Sequence, residues 1–62
     1  MKAVYDIGLR RDGPDFYTIV EVPSSPYSEQ RALAIAQDRF YAAYGTNGRC
    51  FSLRLAYIGR ES

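Results

Sequence analysis

Phe16-Tyr17-Thr18-Ile19-Val20-Glu21-Val22, followed by Pro23-Ser24-Ser25-Pro26, is the stretch on which the fold turns. Its first seven residues are rich in β-branched and aromatic side chains, the composition of a strand. Thr18, Val20 and Val22 are expected to face a core, because the other face of the alternation ends in Glu21. The two prolines then stop the strand, and the hydrophobic period changes. Ser25 reads as an N-cap with Pro26 at the first helical position, where its missing N–H costs nothing. Glu29 suits the positive end of the helix. The helix is predicted to run to about Tyr44, with Gly45 supplying the left-handed residue beyond it. At helical period, Leu33, Ala36, Phe40, Ala43 and Tyr44 form one stripe, widened by Ala32, while Ile35 and Tyr41 lie off it.

Upstream, Ala3, Tyr5, Ile7 and Leu9 alternate with Lys2, Val4, Asp6, Gly8 and Arg10, the period of a half-buried strand. Gly8 weakens that strand and is a candidate bulge position. Arg11-Asp12-Gly13-Pro14-Asp15 is a turn by composition, so the first two strands form a hairpin. Downstream, Thr46-Asn47-Gly48 reads as loop, and a third strand is expected from Arg49 to about Ile58. Strict alternation puts Phe51, Leu53, Leu55 and Tyr57 on one of its faces and Cys50, Ser52, Arg54, Ala56 and Ile58 on the other. Residues 59–62 read as a short tail. The expectation is a single α+β domain over residues 1–62, β-β-α-β. Its three-stranded antiparallel sheet has order 2-1-3, a right-handed crossover, and one helix on one face.

Composition removes whole classes of function. With 62 residues there is room for one small core and no deep substrate cavity. There is no histidine, and Cys50 is the only cysteine, so neither a zinc site nor an intrachain disulfide can be assembled. No metal or cofactor is expected. The absence of a histidine partner also makes Cys50 a small apolar filler rather than a nucleophile, and no catalytic constellation stands out; the chain is not expected to be an enzyme. Neither a membrane-spanning run nor the apolar stretch of a signal peptide is present, and a cytoplasmic protein is expected. Arginine supplies seven of the eight cations. Its planar fork suits interfaces, although codon usage in a GC-rich genome explains the same preference.

One helix leaves the far side of the sheet bare, and function is sought there. The alternation assigns to that side Lys2, Val4, Asp6, Arg10, Tyr17, Ile19, Glu21, Ser52, Arg54 and Ile58. An aromatic and aliphatic centre with an arginine rim is the composition of a protein-binding patch. Arg10, Tyr17, Ile19 and Arg54 are the first candidate contacts, with Arg31 and Arg39 on the helix as the second set. Homodimerisation through the same face would also relieve the small core, and scattered exposed apolar residues need no role at all. Nucleic acid is the alternative partner, with Tyr17 stacking on a base and Arg10 and Arg54 meeting phosphates. A net charge of +1, with Asp6 and Glu21 on that face, is a poor footprint for it.

Met1-Lys2-Ala3-Val4-Tyr5, Thr18-Ile19-Val20-Glu21-Val22, Ser28-Glu29-Gln30-Arg31-Ala32-Leu33-Ala34-Ile35-Ala36 and Leu53-Arg54-Leu55-Ala56-Tyr57 together look like a small phage protein. In order and texture they resemble anti-CRISPR inhibitors of type I systems, without a diagnostic motif. That resemblance implies stoichiometric binding to a CRISPR effector subunit, blocking access of target DNA, with no catalysis. Residues 4–44 are also similar to antitoxins of the HicB type, but the Gly-Cys segment those carry before the helix is missing between Pro23 and Pro26.

Overall fold

The alternation of residues 2–10 makes β1 (Lys2–Arg10) the strand through which everything else is connected. In the computed structural model, which describes residues 1–59, it pairs on one side with β2 (Phe16–Pro23) and on the other with β3 (Arg49–Gly59). Both pairings are antiparallel and the sheet order is β2-β1-β3, as the sequence predicts. The helix α1 (Ser28–Tyr44) connects β2 to β3. Arg60, Glu61 and Ser62, where the tail was expected, lie outside the described residues; Gly59 closes β3.

The core is the helix-facing row of β1 and β2 beneath the small residues of α1. Ala3, Tyr5, Ile7, Leu9, Val20 and Val22 are buried against Ala32, Ala36 and Phe40. The alanines let the helix approach the sheet, and Phe40 fills the far end, where its ring meets Phe16 edge-on at 5.5 Å. Burial of these apolar side chains is the main stabilising term for so small a domain. Buried among them, the Tyr5 hydroxyl and Ser28 Oγ are hydrogen-bonded at 3.0 Å, and Ser28 Oγ also donates to the Ser25 carbonyl.

Three local expectations are corrected. The helix begins at Ser28, two residues after Pro26, because Ser25 spends its side chain on a preceding turn: Ser25 Oγ accepts the Tyr27 N–H and Ser25 O accepts the Ser28 N–H. Tyr27 sits at the N-cap without a side-chain cap bond. At the other end, Gly45 has φ 73° and donates to Tyr41 O, the left-handed cap that the sequence predicts. Ala43 is exposed rather than part of the buried stripe; Tyr44, half in water, stays on it, its ring centroid 6.0 Å from that of Phe16 and 4.6 Å from that of Phe40, and Ile35 is half-buried against the core.

The third correction concerns β3. Its register slips twice, so that Phe51 and Ala56 are each extra to the ladder with β1. A residue added to one strand reverses the alternation beyond it. Leu53 and Leu55 stay on the helix side, opposite Ile7 and Tyr5. Ile58, opposite Ala3, joins them there, whereas Tyr57 moves to the open side opposite Val4. The irregularity does fall beside Gly8, but the extra residue is on the neighbouring strand.

Candidate binding face on the open side of the sheet

The two slips rebuild the open face. Across the three strands its rows read Tyr17–Gly8–Ser52, Ile19–Asp6–Arg54 and Glu21–Val4–Tyr57. Gly8 is the floor of an aromatic cluster: a Cβ there would lie 2.9 Å from Phe51 Cζ and 3.0 Å from a Tyr17 ring carbon. Only a glycine in the central strand leaves the ring of the extra residue Phe51 this space. Tyr17 meets that ring edge-on, with centroids 5.7 Å apart. The Arg10 guanidinium lies over it, 4.4 Å from the centroid, a cation–π contact.

Three ion pairs stand on this face, and among the described residues Arg49, opposite Arg10, belongs to none of them. Arg10 Nε donates to Asp15 Oδ1 at 2.7 Å, Arg54 donates to Asp6 Oδ2 at 3.3 Å, and Lys2 Nζ lies 3.6 Å from Glu21 Oε2. The Arg10–Asp15 hydrogen bond, reinforced by their charges, raises the Arg10 pKa and holds the Asp15 carboxyl below its ordinary range. All three pairs are exposed, so they contribute little to stability. Their effect is to fix where the charges stand around an apolar centre that includes Tyr17, 61 % exposed, and Ile19, 65 % exposed.

The first four candidate residues, Arg10, Tyr17, Ile19 and Arg54, thus share one face. The two helix arginines do not join them. Arg39 reaches β2 from the helix and is engaged there, donating to Thr18 Oγ1 at 2.7 Å and to Ile19 O at 2.8 Å. Arg31 is exposed on the helix. Ile58, assigned to the open face by alternation, is on the helix side, and Phe51 and Tyr57 take its place. A glycine in the middle of a strand, facing an aromatic-rich neighbour, was the sequence signal for Phe51: the vacancy above a glycine is where a ring packs.

At the hairpin end, Arg10, Arg11 and Arg49 border a shallow notch with Asn47, Gly48 and Phe51. Arg11 is tied to the Asn47 carbonyl at 3.1 Å, and Arg10 stands directly across from Arg49. Cys50 is free and exposed, its Sγ 3.5 Å from Ser52 O. Among the described residues no group of three or more His, Cys, Asp or Glu side chains is placed to hold a metal ion. No described helix is long and apolar enough to cross a membrane. Comparison with protein-family models, with curated proteins and with solved structures finds no match, so the functional reading rests on this face.

Proposed function

We propose that this chain is a non-enzymatic binding protein that docks the open face of its sheet on a protein partner. The observation that carries the reading is the cluster of Tyr17, Phe51 and Arg10 seated over Gly8 on the uncovered face. Tyrosine and arginine dominate the energetics of protein interfaces because they offer large contact area at small entropic cost. Here both are already positioned, by ring packing and by Asp15, before any partner arrives. The three matched ion pairs favour protein over nucleic acid, since a phosphate backbone is met by unmatched cations. Within this reading, the resemblance to anti-CRISPR inhibitors nominates a type I CRISPR effector subunit as the partner and obstruction of target DNA as the consequence.

The test is capture of purified effector subunits by the tagged chain, with and without nuclease. Nuclease-resistant capture that Tyr17→Ala and Arg10→Ala each weaken by at least about thirtyfold, the roughly 2 kcal/mol of a hot spot, with melting unchanged, supports the reading. Equal losses of capture and of thermal stability overturn the assignment of those residues.

The notch bordered by Arg10, Arg11 and Arg49 favours a second reading, direct binding of single-stranded nucleic acid beside Tyr17. Its mark is an affinity for oligonucleotide that falls with salt at a logarithmic slope of about 0.7 per phosphate engaged. Salt-insensitive or undetectable binding removes it.

A further inference from the structure

We infer that β3 is the interface at which two copies of this chain pair, edge to edge and antiparallel, about a two-fold axis perpendicular to the sheet. The helix covers β2 and β1 only: no Cα of β3 lies within 8 Å of a Cα in α1. The helix-side row of β3 is therefore uncovered, with Leu53 half-buried and Leu55 and Ile58 each 46 % exposed. That row holds no charge and no proline, the usual protections of an edge strand. The opposite edge of the sheet is protected, by Arg39 on Ile19 O and by the terminal Pro23.

Three arguments select a second copy as the occupant. The first is self-complementarity. A two-fold interface sets a patch against itself, and the helix-side row around Leu53 and Leu55 carries no charge that would be opposed by its like. The second is register. The extra residues Phe51 and Ala56 leave residues 52–55 regular, and a two-fold through Leu53 pairs residues 52–54 of the two copies. Centring on Leu53 sets Ser52 opposite Arg54, whereas centring on Arg54 would oppose two guanidinium groups.

The third argument is area. Even the whole edge of β3, eleven residues at about 3.4 Å each on a sheet about 10 Å thick, presents at most roughly 370 Å². A standard interface needs about 800 Å² per partner. An added peptide strand would cover the edge and leave the apolar row bare. A second copy brings its own Leu53 and Leu55 to the same trough between two helices on one side. The other side becomes one six-stranded surface carrying two copies of the aromatic cluster.

Sedimentation velocity of the full chain, diluted from about 100 μM to about 1 μM, a span that brackets a micromolar dissociation constant, tests this. The expected result is a monomer–dimer equilibrium that ends at twice 7.0 kDa. Leu55→Glu should weaken it by at least about tenfold, the factor that 1.4 kcal/mol represents, whereas Ile58→Glu, beyond the end of the partner's strand, and Ile19→Glu on the open face should leave it unchanged. Both β3 side chains are already half in water, and circular dichroism of each variant shows whether the fold is kept. If either fails to fold, hydrogen exchange of the wild-type β3 amides decides, with protection that rises with concentration expected. A chain that stays at 7.0 kDa throughout overturns the proposal. So does a dimer dissolved by Ile19→Glu alone, or β3 protection independent of concentration.

Discussion

The two edges of this sheet are built in opposite ways. At β2 the helix lies close, Arg39 binds a main-chain carbonyl, and the strand ends in proline. At β3 the strand is longer and keeps apolar residues in water on both of its faces. The cause is dimensional. A helix about 10 Å across covers about two strands spaced roughly 4.8 Å apart. Ala32 and Ala36 seat it over β1 and β2, and Arg39 secures it there. A three-stranded sheet with one helix must leave one strand uncovered, and the side on which Arg39 lies decides which.

The largest expected effect contrasts the covered and uncovered halves directly. Ile7→Ala empties a fully buried position between helix and sheet and is expected to cost about 2–5 kcal/mol, a large part of the stability of a domain this small. Leu55→Ala, two positions along the neighbouring strand from the partner of Ile7, is expected to cost less than about 0.5 kcal/mol in a single copy. Its cost should grow with protein concentration if β3 pairs with itself. Chemical denaturation at two concentrations measures both. Equal costs at low concentration would show that the helix shields β3 after all.

Next is the aromatic cluster. Gly8→Ala places a methyl against Phe51 and Tyr17 and is expected to cost about 1–3 kcal/mol through overpacking. In a Phe51→Ala background the same change should cost less, with only the Tyr17 contact left, and a double-mutant cycle isolates the coupling. Additive costs would mean that the rings do not rest on Gly8. Removing the β2 clip is smaller. Arg39→Ala deletes two exposed hydrogen bonds, with about 1 kcal/mol expected, and should raise hydrogen exchange in β2 while leaving β3 unchanged. Exchange rising equally in both strands would mean that Arg39 stabilises the whole domain instead of one edge.

These contrasts also explain which parts of the molecule were legible in its sequence. The alternation of β1 and β2, the Pro–Gly brackets of the helix and the strand order all follow from local pattern, and the core row of β1 was read residue by residue. The faces of β3 were not legible past its slips. A period of two has no memory of an inserted residue, and Phe51 and Ala56 carry no local mark of being extra. Arg10, Tyr17, Ile19 and Arg54 were found because their strands are regular or, for Arg54, because it lies between the slips. Phe51 and Tyr57 were missed because they lie at or beyond them. Arg39 was read as a free contact because a helical period says nothing about a side chain long enough to reach the neighbouring strand.

The smallest expected effect separates the charged end of the open face from its apolar centre. The Asp15 carboxyl is held below its ordinary value of 3.8 by the hydrogen bond from Arg10 and the guanidinium charge. A carboxyl depressed in the folded state contributes stability that is present above its unfolded pKa and lost as pH falls through the folded one. Acidification from neutral to below that ordinary value should therefore release Arg10 from Asp15, while the packing of Tyr17 on Phe51 persists. Stability should change little, because the pair is exposed. The sensitive reporter is the Arg10 Nε resonance followed by NMR, beside the Phe51 ring signals. The Arg10 signal is expected to shift along an acidic titration that Asp15→Asn abolishes. Movement of the Phe51 signals with the same midpoint would instead show that Asp15 positions the guanidinium over the ring, making the ion pair part of the cluster and not merely its border.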